Sequence, residues 1–173
     1  MRLPVIFVLG LLGASLAAAQ ERFEAGGQFG YGGFLEDEHT GGRALAGGHF
    51  GVRLNDSRSL LFDYTQIRYS RGPAYRQRNH LFGLTLHTEP RPWNRLRGWA
   101  DLGAGAGVRT RRYRGREPGW INRSQSFAGV HAGVGVAFDL GERFFVRPGV
   151  RAYLWAPSVT LGLAPVITAG FRF

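Results

Sequence analysis

The stretch 159–173, VTLGLAPVITAGFRF, is the feature that most restricts what this chain can become. Its odd positions Val159, Leu161, Leu163, Pro165, Ile167, Ala169, Phe171 and Phe173 are all apolar. Its even positions Thr160, Gly162, Ala164, Val166, Thr168, Gly170 and Arg172 are mostly small or polar. A period of two places one set on each side of a β-strand. At about 15 residues the run far exceeds the ~5–6 of a typical soluble strand. It closes on Phe-Arg-Phe, an ending suited to a strand whose outer face meets lipid, because aromatic rings favour the membrane–water interface.

The same alternation recurs from residue 22 onward in eight runs: 22–34, 44–54, 59–69, 77–88, 98–111, 124–140, 144–155 and 159–173. In the first, Phe23, Ala25, Phe29 and Tyr31 oppose Glu24, Gln28 and glycines. In the sixth, Val130, Ala132, Val134, Val136 and Phe138 oppose Gly129, His131, Gly133, Gly135 and Asp139. Eleven residues at ~3.3 Å, tilted ~40°, span roughly 27 Å, which matches the apolar band of a bilayer. The expected fold is therefore all-β: an eight-stranded antiparallel up-and-down transmembrane β-barrel. The breaks at 35–43, 70–76 and 112–123 read as long polar loops, and 55–58 and 141–143 as tight turns. Long loops and short turns belong at opposite ends of such a barrel, the turns facing the periplasm. The Pro-rich 89–97 connection is long for that end, and 156–158 is short for the other. Gln66 and Arg68 fall on the apolar side of the third run, which predicts a bulge there or emergence from the membrane. Pro148 and Pro165 cannot donate to a ladder and predict two further bulges.

The inward face is rich in Gly, of which the chain has 27, with Arg, Asp and His interspersed. An eight-stranded barrel is just wide enough inside for side chains, so small residues leave room for a few large charged ones. A soluble lipocalin-like barrel has the opposite polarity, and its exterior has no use for glycines that weaken strands. The N-terminus supplies Arg2, the apolar run 3–12 and Ala17-Ala18-Ala19, the pattern of a signal peptide cleaved after Ala19. The expected domains are thus a signal peptide at 1–19 and a barrel at 20–173. A membrane anchor is disfavoured, since that run is too short for a core of about 30 Å. Zero Cys excludes disulfides and thiolate metal sites. All 22 basic residues are Arg and the net charge is +10, so anionic lipid headgroups rank above nucleic acid for an exported chain.

With the terminal Phe173, the same-face residues Phe171, Ala169, Ile167 and Pro165, the eight runs and the leader in view, the chain resembles the OmpA/OmpX-like family of small outer-membrane β-barrels. The resemblance implies residence in the outer membrane. It also implies that Phe171 and Phe173 form the signal read by the barrel-assembly machinery, and that the last strand closes on the first.

Inward-facing Glu24, Asp63, Asp101 and Asp139 are expected to pair with Arg53, Arg109, Arg147, Arg151 and Arg172, because charges in a narrow low-dielectric interior need partners. The specific expectation is that Arg147 and Arg151 bridge Asp101, Asp139 and Asp63. Such pairs read either as a structural plug or as the gate of a narrow pore. Arg111, Arg112, Arg114, Arg116 and Arg123, with Tyr113 and Trp120, form a basic external loop. Guanidinium groups match phosphate bidentately, so this loop suits lipopolysaccharide. Acidic Glu36, Asp37 and Glu38 beside His39 read as a solvated turn. A lipid-modifying enzyme would need a Ser–His pair near the membrane surface. His80, His39, Ser70, Ser126, and His131 with Ser124 or Ser126, do not reproduce the His and Ser two residues apart on a late strand found in lipid A deacylases. Gly-rich 103–107 lies within a strand and is no phosphate loop. The reading is a monomeric, non-enzymatic structural or surface-interacting protein without cofactor or metal.

Overall fold

The computed structural model describes residues 23–36, 39–71, 74–90, 97–114 and 119–173. The segment 1–22, with the expected cleavage at Ala19, lies outside them, as do Asp37, Glu38 and Arg116. Eight strands follow in order: β1 Phe23–Glu36, β2 His39–Asn55, β3 Arg58–Arg71, β4 Tyr75–Thr88, β5 Arg97–Arg114, β6 Trp120–Leu140, β7 Phe144–Ala156 and β8 Thr160–Arg172. Each pairs antiparallel with its neighbour, and β8 returns to β1 to close the barrel. Closure is sealed by reciprocal backbone bonds of 2.9 Å between Phe23 and Phe173. A closed sheet has no edge across the apolar band, the condition for crossing lipid with strands.

The period of two sorts the residues. Phe29, Leu84, Leu102, Val134, Leu163 and Ile167 are among the large apolar residues that point outward and are exposed. Glu24, Asp63, Asp101, Arg147 and Arg151 point inward and are buried. At the end carrying the 141–143 turn, Phe50, Phe23, Phe173, Phe171 and Phe144 form a continuous run of ring contacts with centroids 5.2–6.5 Å apart. This is an aromatic girdle at the membrane boundary. Gly141, at φ +86°, supplies the left-handed residue of that turn.

The expected bulges at Pro148 and Pro165 are absent. Pro148 faces Ile167 and Pro165 faces Val150 in an unbroken β7–β8 register. The register of β6–β7 is likewise the same on both sides of Pro148, and that of β1–β8 on both sides of Pro165. Nor does β3 slip at Gln66 or Arg68, which simply continue outward above the band. The one register shift in the β2–β3 ladder lies between Arg53 and Asn55, beside the tight turn.

The polar breaks are also shorter than expected. The ladders run on to Glu36↔His39, Arg71↔Tyr75 and Arg114↔Trp120. Backbone pairing needs no apolar side chain, so strands continue past the height where alternation is enforced by lipid. The β5–β6 hairpin rises furthest, because β6 meets β7 only from Ala128↔Ala156.

Candidate functional site: a stratified lumen and a cationic outer end

The inner end of the lumen, at the tight turns, holds a chain of ion pairs. Arg147 grips Glu24 with two bonds of 2.8 and 3.2 Å and donates from Nε to Glu89 at 2.5 Å. Arg172 donates to Glu89 at 3.2 Å and to Asp139 at 2.8 Å. Arg97 pairs with Asp139 and lies 3.5 Å from Glu89. The Phe145 ring lies beneath the Arg147 guanidinium, 3.9 Å from its centroid. Glu89 lies just beyond β4. Burial raises its pKa, but the His87 hydrogen bond and the Arg147 and Arg172 charges outweigh that and lower it to about 2.

One level further out, Arg151 bonds Asp101 at 2.6 and 3.0 Å and also reaches Gln28. Gln28 donates to Thr65 at 2.6 Å. Thr85 donates to Asp63 at 2.6 Å and lies 3.0 Å from Nε2 of His131. A void bordered by His49, Trp99, Asp101, Arg147 and Arg151 has a volume of about 10 Å³, at the threshold for a single water.

Above this the lumen changes character. Phe34, Leu45, Ile67, Leu81, Phe127, Tyr153, Trp155, Ala164 and Val166 form one buried apolar cluster. Trp155 is its centre, with ring centroids 5.5 Å from Phe34, 5.3 Å from Phe127 and 5.9 Å from Tyr153. Gly162 makes room for it, since a Cβ there would collide with the Phe34 ring. At the outer mouth Arg43 stacks over Phe34 and Tyr69, and Arg109 donates to Ser158 at 2.6 Å and Thr160 at 3.2 Å.

The residues singled out from sequence are thus distributed over several levels. Of the expected bridges, only Arg151–Asp101 forms. Arg147 meets Glu24 and Glu89 instead of Asp139 or Asp63, because Asp63 lies a level higher, beside Thr85. Asp139 is held by Arg97 and Arg172. Arg53 is half-buried at the inner mouth and donates to the Asp56 carbonyl at 3.4 Å. Arg109 belongs to the outer mouth. Glu89, Arg97 and His87 complete the inner network. Glu89 shares the odd-numbered phase of His87 and Thr85, a signal hidden by the prolines that follow. The apolar cluster was not anticipated, although its members Leu81 and Tyr153 fall on the inward face of the alternation.

The basic loop proves to be largely hairpin. Arg111 and Arg123 face each other across β5–β6 on the inward side, Arg111 donating to Gln77 at 3.3 Å. Arg112 and Arg114 point outward over Trp120, at 4.8 and 5.7 Å from its centroid. His80 points outward and is engaged by the Tyr64 hydroxyl at 2.8 Å. His131 points inward, away from outward Ser124 and Ser126. Among the described residues no group of three His, Asp or Glu is placed to hold a metal.

No family model matches the chain, and no curated protein sequence matches it. Solved structures do. Neisserial surface protein A superposes with a TM-score of 0.67 at 15% identity, over 87% of this chain and 95% of that one. The attachment invasion locus protein Ail of Yersinia pestis, solved with the heparin analogue sucrose octasulfate, gives 0.58 at 16%, over 88% and 99%. The N-terminal β-barrel domain of Pseudomonas aeruginosa OprF gives 0.54 at 17%, over 89% and 100%. An outward apolar band, a polar and aromatic interior and these superpositions agree: the chain has the fold of the small eight-stranded outer-membrane β-barrels, the OmpA/OmpX-like architecture.

Proposed function

We propose that this protein is a non-enzymatic integral barrel of the cell outer membrane with a structural or surface-interacting role. Its lumen is closed by ion pairs and an aromatic cluster, and its basic outer end contacts lipopolysaccharide. The observation that carries this reading is the division of labour in the charges. At the inner end arginines meet carboxylates; at the outer end, Arg112, Arg114 and Arg123 are exposed. Guanidinium groups placed at a membrane surface favour phosphate. The sucrose octasulfate in complex with Ail, a polyanion on a barrel of this fold, supports an anionic partner. The engaged His80 and the inward His131 support a role without catalysis. Export after cleavage at Ala19, recognition of Phe171 and Phe173 by the barrel-assembly machinery, and a monomeric state belong to the same proposal.

The test is co-flotation of the refolded protein with phosphatidylcholine vesicles with and without lipopolysaccharide. Tighter association with the lipopolysaccharide vesicles, lost in Arg111→Gln/Arg112→Gln/Arg114→Gln/Arg123→Gln, is expected. Equal association of both proteins with both vesicles would overturn it. Unchanged acyl chains in outer-membrane lipids from cells with and without the protein are expected as well; a shifted pattern would make it an enzyme.

A further inference from the structure

The outward wall of β3–β6 changes polarity row by row towards the outer end. One row is Tyr64, Phe82, Ala106 and Ala128, all facing lipid. The next is Gln66, His80, Val108 and Ser126. Then comes Arg68 directly opposite Arg78, continued by Thr110 and Ser124. The last is Ser70, then Arg76 directly opposite Arg112, then Asn122. Like charges directly opposite on adjacent strands repel and destabilise a sheet. Here two such Arg–Arg rungs lie in successive rows, the first across β3–β4 and the second across β4–β5, and all four side chains are exposed. No Asp or Glu stands among the outward residues of 64–70, 76–82, 108–114 and 120–126. None of the four arginines forms an ion pair with a described residue: Arg68 leans on Gln66 and Arg112 on Trp120. The outward residues Tyr31, Ala44, Leu154 and Leu161 of β1, β2, β7 and β8 carry no charge.

We propose that this wall is a headgroup site for a phosphate-bearing glycolipid of the outer leaflet, with the phosphate held between the Arg68–Arg78 and Arg76–Arg112 rungs. The site deepens the reading of an anionic contact at the outer end and rests on it. Rungs that repel one another become forks that chelate one anion, since each guanidinium donates bidentately to phosphate oxygens. Thr110 and Ser124 offer hydroxyls to the sugar. The Tyr64–Phe82 row lies where acyl chains begin, so a lipid satisfies both halves of the gradient, whereas a soluble anion would use only the upper half.

The experiment uses the refolded chain in phosphatidylcholine nanodiscs carrying lipid A, dephosphorylated lipid A or neither. Retained glycolipid is quantified by mass spectrometry. Arg68→Gln/Arg78→Gln is compared with Arg111→Gln/Arg123→Gln, which removes the inward arginines of the tall hairpin. Loss of about ten-fold or more in lipid A retention is expected in the first variant, the size of a lost charged hydrogen bond, with little change in the second. Dephosphorylated lipid A should not be retained. In phosphatidylcholine alone the first variant should unfold at a denaturant concentration equal to or above that of the wild type, because the repelling rung is relieved. A loss confined to Arg111→Gln/Arg123→Gln would overturn the wall site while sparing the basic outer contact. Unaltered retention in both variants would overturn the wall site and leave the basic outer contact to Arg112 and Arg114; unaltered retention in Arg111→Gln/Arg112→Gln/Arg114→Gln/Arg123→Gln as well would overturn that contact too. Equal retention of dephosphorylated lipid A would overturn the phosphate contact.

Discussion

The inner and outer halves of the lumen are filled by opposite means. At the inner end Glu24, Arg147, Glu89, Arg172, Asp139 and Arg97 form a chain of alternating charge. At the outer end Phe34, Phe127, Tyr153 and Trp155 pack ring on ring. The first arrangement depends on every member keeping its partner, since a buried charge left alone is costly. The second depends on volume, since a vacated ring leaves a void. Two halves of one tube should therefore respond to different insults.

The largest effect is expected from Arg147→Ala. It takes from Glu24 its one arginine partner among the described residues, leaves Glu89 to Arg172 and Arg97, and should cost about 3–5 kcal/mol in urea unfolding from lipid vesicles; a cost near zero would mean the network is not held together by pairing. Trp155→Ala comes next, at about 3 kcal/mol, the lower end for a large buried ring because Phe34 and Phe127 flank the void and can close on it. Neither variant alone should admit small ions, because the other half of the lumen stays closed. Acid sharpens the contrast. The Glu89 pKa is lowered from 4.5 to about 2, so its contribution to stability is full above about 4.5 and declines as pH falls towards 2. Glu89→Gln should remove that part of the acid sensitivity, and Trp155→Ala should keep it. A wild-type stability flat across this range would contradict the pairing. The smallest effect belongs to Arg53→Gln. Half-buried at the inner mouth and, among the described residues, bonded only to a backbone carbonyl, it should change stability by less than about 0.5 kcal/mol.

The strand count, the facing of β8 and the polarity of the wall are legible in the sequence because lipid enforces one rule along every strand. The interior obeys a looser rule. Glycine, charge and aromatic ring all serve there, so Phe34, Leu45, Phe127 and Trp155 look like lapses of pattern rather than a cluster. The partner of each charge depends on height along the barrel axis, which strand stagger sets. Asp63 and Arg147 share a face but not a level, whereas Glu89 reaches Arg147 from beyond the end of its strand. The hairpin extensions escape for a related reason: Arg112 and Arg114 remain in register with Asn122 and Trp120 through backbone bonds that side-chain patterning does not record. The prolines mislead in the opposite direction, since β7 and β8 keep register at Pro148 and Pro165.

The most direct test is the current through single refolded barrels in a planar lipid bilayer, wild type beside Trp155→Ala/Phe34→Ala. The account predicts no stable unitary steps from the wild type or from the double variant, whose inner ion pairs still close the lumen, and discrete ion-conducting steps once Arg147→Ala and Arg151→Ala are added to it. Steady conducting steps from the wild type that change with Arg151→Ala would contradict it and make the barrel a narrow pore.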